Sequence, residues 1–447
     1  MLTLLLAAGE QEPPSATKPD TLDSVADRVW VSGQANIIFQ AHPTFRSPYS
    51  SDNSLRAESE HATSRVLTLF TGFRLTRNTE ILLDIESAGG RGISDALGVA
   101  GFTNLDVVRN PTLGSKPYIA RVEVHQTIPL SSEYVEAQRG PLNLAMAVPA
   151  RRLELRFGKM GTVDTFDANG VGSDSHLQFL NWTADNQGAY DYAADTRGYT
   201  YGLTVEYIDR DWAFRFGEML MPTVANGIKL DWSITRARGE NFELELRPRA
   251  WSARPTILRF LGYVNHANMG LYSESIQRFV MGLDPVPDIT ATRRQRRVKY
   301  GLGLSAEQEF KPGWRGYVRA GWNDGKTESF AYTEVDGSLS FGTDLHGSRW
   351  KRAADKVAAA YMVNSISSDH RNYLRLGGQG FLLGDGTLAY GTERIFETYY
   401  NAHIWRGTSV SVDYQRLTNP GYNRDRGPIS VGSLRLHIED VASFRRR

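Results

Sequence analysis

Nine charged residues could do chemistry together. Arg74, Arg121, Arg156, Arg259 and Arg319, with Asp84, Glu86, Glu123 and Glu154, all fall on the polar phase of runs that alternate polar with apolar residues. Interleaved guanidiniums and carboxylates present donors and acceptors side by side. That suits a hydroxyl-rich solute, because each hydroxyl both gives and takes a hydrogen bond. A wall of one sign selects ions instead. Near residues 74–156 the two signs share one phase, which predicts a mixed-charge wall. The plainer expectation is a ladder of ion pairs that only stiffens the wall, and one ladder can do both.

Two long polar segments carry further candidates. Residues 88–117 hold Gly89-Gly90-Arg91-Gly92, and residues 159–198 hold Trp182, Tyr190 and Tyr192 among Asp and Asn. Aromatic faces beside carboxylates and amides form a surface for a pyranose ring. One or both segments are expected to fold inward and narrow a passage; the alternative is an external cap.

Other motifs carry less. Ser173, Asp174, Ser175 and His176 lie in sequence, whereas a hydrolase triad draws an oriented base from a separate element. His125, His266, His370 and His403 lack close metal-ligand spacing. Gly377-Gly378-Gln379-Gly380 lies in no strand–loop–helix unit, so it gives no nucleotide site. The chain has no cysteine, hence no thiolate ligand, disulfide or Cys nucleophile. No catalytic residue, metal or cofactor is therefore expected. "RRQRR" (293–297) with Lys299 is either a contact for lipopolysaccharide phosphate or a solvated loop. A net charge of +1 gives no support to nucleic-acid binding.

The elements that position these residues repeat every two residues, not every 3.6. Leu67, Leu69, Thr71 and Phe73 alternate with Thr68, Phe70, Gly72 and Arg74. Ala120, Val122 and Val124 alternate with Arg121, Glu123 and His125, and Val318, Ala320 and Trp322 with Tyr317, Arg319 and Gly321. No window holds ~18 apolar residues, so no helix spans a membrane. The mean hydropathy of −0.38 does not argue against a membrane barrel, whose strands are only half apolar.

About 16 such strands are predicted, including one at 338–346, with 228–236 assigned to a loop. Short turns at Thr76-Arg77-Asn78, Asp209-Arg210-Asp211, Lys311-Pro312-Gly313 and Arg406-Gly407-Thr408 alternate with long segments, as in outer-membrane barrels. Residues 129–150 are too long for a short turn and break the pattern. Trp30, Trp212, Trp251, Trp314, Trp350 and Trp405 map to one rim, as an aromatic girdle would. Arginine facing lipid at mid-membrane would cost roughly 2–4 kcal/mol, so the arginine faces look into a wet lumen.

The expected fold is therefore all-β: one transmembrane antiparallel barrel over 29–439. Residues 1–28 read as a truncated signal-like segment ("MLTLLLAAGEQ") and flexible lead-in, and 440–447 as a basic tail. In the closing hairpin, Ile429 and Val431 sit on one phase and Leu434, Leu436 and Ile438 on the other, which predicts a bulge at Gly432-Ser433.

"SAGGRGISDALGVAGFTN" (87–104), "DTFDANGVGSDSHLQFLNWTADNQGAYDYAADTRGYTYGLTVEY" (164–207) and "SRWKRAADKVAAAYMVNSISSDHRNYLRLGGQGFLLGDG" (348–386) resemble the carbohydrate-selective porin family of the OprB type, as does "NPGYNRDRGP" before the last strand. The resemblance implies a 16-stranded barrel in the bacterial outer membrane, passive uptake of sugars such as glucose, and an arginine-containing constriction. The partners it implies are sugars as solute and outer-membrane lipid, with the protein a monomer or a trimer. The chain departs from the family at its end, where Phe444 sits inside a basic tail rather than closing the barrel. Polysaccharide export and a barrel plugged by its own loops are the competing readings.

Overall fold

The computed structural model describes residue 22 and residues 24–106, 113–248 and 254–442. One helical turn, Val25–Arg28, is capped by Ser24, whose hydroxyl accepts from the Asp27 amide. The chain then runs through β1 (Val29–His42), β2 (Glu60–Thr76), β3 (Thr79–Gly90), β4 (Tyr118–Pro129), the short β5 (Tyr134–Glu136) and β6 (Ala147–Pro149), β7 (Arg152–Met160), β8 (Thr200–Ile208) and β9 (Trp212–Leu220). It continues through β10 (Arg238–Leu246), β11 (Thr256–Met269), β12 (Arg294–Lys311), β13 (Trp314–Asn323), β14 (Gly337–His346), β15 (Lys356–Ser365), β16 (Glu393–Trp405), β17 (Thr408–Thr418) and β18 (Ile429–Val441). All but β5 and β6 join one closed barrel, in sequence order, and β1 pairs with β18. The barrel therefore has the 16 strands expected, and closure leaves no unpaired edge.

The two faces of the wall differ by one residue along each strand. Phe260, Leu304, Ala320, Leu339 and Val363 are register partners across β11 to β15 and face outward. One step along, Arg259, Ser305, Arg319, Ser340 and Met362 form the inner row. Every sequence-named lumen arginine on a strand obeys this phase. An extra residue shifts it in β4. Ala120 pairs with neither Asp84 nor Ile85, which face Arg121 and Ile119, so it is an extra residue in β4 and turns inward, fully buried. No bulge occurs at Gly432-Ser433: β18 keeps continuous register with both neighbours. Ile429 and Val431 share the inner phase with Arg435 and are each 1% exposed. They are apolar because they meet packed loops rather than water.

At one end the connections are short, with Gly313 at φ 72° in the tightest of them. At the other end all connections are long. The exception, residues 130–151, folds back as the β5–β6 hairpin. Its Leu144 amide donates to Glu80 Oε2 at 3.0 Å, and the Leu142 carbonyl accepts from Arg156 Nη2 at 2.9 Å. It covers part of the barrel mouth instead of turning tightly. Trp212, Trp314, Trp350 and Trp405 lie at this short-turn end, with Trp212 and Trp405 exposed outward. Trp30 sits on the inner phase, with Arg139 over its ring at 5.6 Å, so it packs at the mouth and not on the outer girdle. Trp251, the signal-like segment and Phe444 lie outside the described residues.

The largest buried apolar cluster lies inside the barrel, toward the long-loop end. Phe102, Phe166, Phe179, Trp182 and Tyr332 from loops meet Tyr263, Tyr317, Ile395 and Tyr399 from the wall. Close approach of a loop explains two glycines: a Cβ on Gly303 or Gly321, paired across β12 and β13, would lie 2.0–2.1 Å from the Gln187 side chain. Leu304→Arg puts a charge on the outer face and should cost about 2–4 kcal/mol of folding stability in bilayers. Denaturant titration in lipid vesicles checks this.

Candidate functional site

The barrel wall brings several sequence-named charges into two ion-pair networks on β2 to β7. Arg121 meets Asp84 at 2.8 Å, Glu123 at 3.5 Å and the loop residue Asp164 at 2.7 Å. Arg156 meets Glu123 at 2.6 Å. Glu154 pairs with Arg152 and lies 3.4 Å from His125, which links it to Glu80 and so to Arg74 at 3.6 Å. On the far side, Arg259 joins Glu245 at 2.9 Å and Glu307. Arg215, not singled out from sequence, ties Glu206, Glu243 and Glu245 together at 2.7–3.0 Å. These pairs are mutual: removing either partner leaves an uncompensated buried charge.

A second group of charges grips loop backbone. Arg319 is 1% exposed. Its guanidinium donates to the carbonyls of Ala184 (3.0 Å), Asp185 (2.8 Å) and Asp167 (2.7 Å), and to Ser173 Oγ (2.6 Å). Arg435 donates to the carbonyls of Ser175 and Gln178 at 2.7 and 2.9 Å. Carboxylates take the opposite part. Glu397 accepts from the Leu180 and Asn181 amides, Glu393 from Ala100, Gly101 and Gly421, and Glu243 from Asp167. The loop 161–199 and the segment 91–106 are thereby held within the lumen. Glu393 and Glu397 escaped the sequence reading, although each lies on the polar phase of a legible strand, and Arg435 is legible on the polar phase of the last strand but not as a loop anchor.

Between these loops and β1–β4 lies a cavity of about 210 Å³. Asp84, Glu86, Arg121, Trp182 and Tyr192 line it. Trp182 stacks on Tyr332, ring centroids 5.6 Å apart and 10° from parallel. Tyr190 is fully buried beside it, its hydroxyl donating to Asn241 Oδ1 at 2.7 Å. Arg91 stands apart: its side chain is 66% exposed and pairs with Asp95 at 2.6 Å. Arg259 and Arg319 serve the ion pairs and loop anchors on the opposite wall.

Burial governs the loop groups around the cavity. It pushes the Asp185 carboxyl up to about 8 and raises Asp106, while it drives His176 well below the ordinary imidazole range. Burial would raise Asp164 too, but the Arg121 guanidinium outweighs it and holds that carboxyl below its usual value. Among the described residues no hydrogen bond joins His176 to a serine hydroxyl. Ser173 Oγ donates to the Asp185 carbonyl and Ser175 Oγ to Asp106. At the outer rim, Arg297 pairs with Glu274 at 2.5 Å and Lys299 turns inward to Asp191 at 3.2 Å, while Arg294 and Arg296 are exposed.

Comparisons with known proteins meet this geometry. No curated protein matches the chain. The high-pH structure of Pseudomonas putida OprB superposes with a TM-score of 0.70 at 15% identity, covering 93% of this chain and 94% of that one. The outer-membrane channel DcaP of Acinetobacter baumannii gives a TM-score of 0.48 at 9% identity, over 92% and 97% of the two chains. The family model described as carbohydrate-selective porin, OprB family, matches residues 52–439. The chain belongs to that family, and it is an outer-membrane carbohydrate channel.

Proposed function

We propose that this channel admits monosaccharides and other small sugars by diffusion, through the cavity between β1–β4 and the inward loops. The observation that carries the reading is the mixture of groups on the cavity wall. Trp182, Tyr192 and Tyr332 offer aromatic faces, and Asp84, Glu86 and Arg121 offer acceptors and donors within reach of them. A sugar uses both kinds of surface, its ring on the aromatic faces and its hydroxyls on the charged groups. No chemical step is required. Export of a long anionic chain fits poorly with a cavity of about 210 Å³ and carboxylates on its wall. At the outer rim, exposed Arg294 and Arg296 stand in the same strand as outward Val298 and Tyr300, a position suited to lipopolysaccharide phosphates.

In liposome swelling, glucose and similar sugars should enter faster than polyols of matched size; equal rates would defeat sugar selectivity. Arg319→Ala removes the anchor of four loop contacts and should loosen residues 161–199, at a cost of about 3–5 kcal/mol. Single-channel conductance should rise and sugar discrimination fall. Arg91→Ala, at an exposed pair, should leave conductance unchanged.

A further inference from the structure

The described residues on the cavity wall are unequal in charge. Six carboxylates line it: Asp84, Glu86, Asp106, Asp164, Asp185 and Asp195. Two guanidiniums, Arg121 and Arg197, face them. Arg121 already serves Asp84 and Asp164. Arg197 lies over the Tyr118 ring at 3.7 Å. Among the described residues the other four acids form no ion pair with a lysine or arginine, and Arg435, Arg319 and Lys159 act on Asp106, Asp185 and Asp195 only from farther away. Glu86 accepts from the hydroxyls of Thr68 (3.2 Å), Tyr118 and Tyr199 (3.0 Å). Asp106 accepts from the Asn36 amide and Ser175 Oγ, and Asp195 from the Arg197 and Tyr199 backbone amides at 2.9 and 3.2 Å.

A second observation is independent of that count. Asp84 and Asp185 are 2% and 3% exposed, yet Oδ1 of each receives no hydrogen bond. A buried carboxyl oxygen with no hydrogen bond bears its desolvation cost in full, and a charged donor beside it lowers that cost most. The aromatic lining adds to this, because ring faces attract cations.

We propose that the cavity is a cation-preferring site, and that the solute it favours among sugars is one bearing a protonated amine. This rests on the sugar-channel reading above and names its solute class. The ammonium takes the place beside Asp185 and Glu86, while the ring lies on Trp182 and Tyr192. The raised Asp185 carboxyl fits: burial outweighs the nearby Arg319 charge and keeps the carboxyl protonated, and an entering ammonium lets that proton pass to water.

Liposome swelling at pH 7 with glucosamine, glucose and glucuronate tests the proposal. Glucosamine should enter faster than glucose by roughly three- to fivefold, the size of one partly screened charge contact, and glucuronate should be slowest. Asp185→Asn should bring the glucosamine-to-glucose ratio toward one while leaving the glucose rate unchanged; Glu86→Gln, which also touches the sugar hydroxyls, should slow both sugars and slow glucosamine more. Heat-modified gel mobility confirms that each variant is folded, and either one alone suffices. In planar bilayers the wild-type reversal potential in a KCl gradient should be that of a cation-preferring pore. A wild-type ratio near one, a faster glucuronate, or ratios unmoved in the folded variants would overturn the proposal. Failure of the sugar-channel reading looks different: glucose would then enter no faster than a matched polyol.

Discussion

The interior depends on charged side chains of the barrel wall that hold the main chain of its own loops. A loop drawn into a lumen carries amides and carbonyls away from bulk water, and each needs a partner. Arg319 and Arg435 answer the carbonyls of residues 167–185, and Glu397, Glu393 and Glu243 answer amides from three loop segments. The loops in turn shield those charges and give them hydrogen bonds, without which a charge this deeply buried would be costly. Wall and loop therefore stabilise each other, and neither arrangement makes sense alone.

This division explains why the molecule is arranged in the opposite sense to a soluble domain. Lipid covers the outside, so Leu302, Leu304 and Val318 can face outward without water. The tightly packed aromatic cluster sits inside, where loops bury Phe102, Phe166 and Tyr332 against Tyr263 and Tyr399. Toward the short-turn end the lumen changes character to ion pairs around Arg121, Arg156 and Arg215. There most of the opposite sign comes from the neighbouring strand, and Asp164 is the loop acid that adds to it at Arg121.

Much of this was legible in sequence because a strand can hide its two faces only by alternating. The barrel, its 16 strands and the inward direction of Arg74, Arg121, Arg156, Arg259 and Arg319 follow from period two. What was not legible is what each inward residue touches. Ile429 and Val431 look like a slipped register because alternation equates apolar with lipid, and only the packed loops make an apolar lumen position sensible. Residues 129–150 look like an error of parity, because nothing local says that a connection folds back on the mouth. Arg91 sits in a distinctive glycine-rich run, yet its glycines shape a loop whose arginine points out to Asp95. Trp30 has the right height for a girdle and the wrong face, which a one-residue phase decides.

The same limit separates the two kinds of charged residue on the wall. Glu123 and Glu397 occupy equivalent phases, so periodicity treats them alike. Glu123 is spent on Arg121 and Arg156, whereas Glu397 is met by backbone amides and the Asp413 carboxyl. The difference lies in whether the neighbouring strand supplies a partner of opposite sign at the same height. Where it does, the wall is complete and indifferent to what passes. Where it does not, the charge must be satisfied by a loop or by a solute, as Glu86 is met by the hydroxyl of the loop residue Tyr199. If the cavity prefers cations as proposed, selectivity comes from the positions where pairing around the wall is left unfinished, not from the total of its charges.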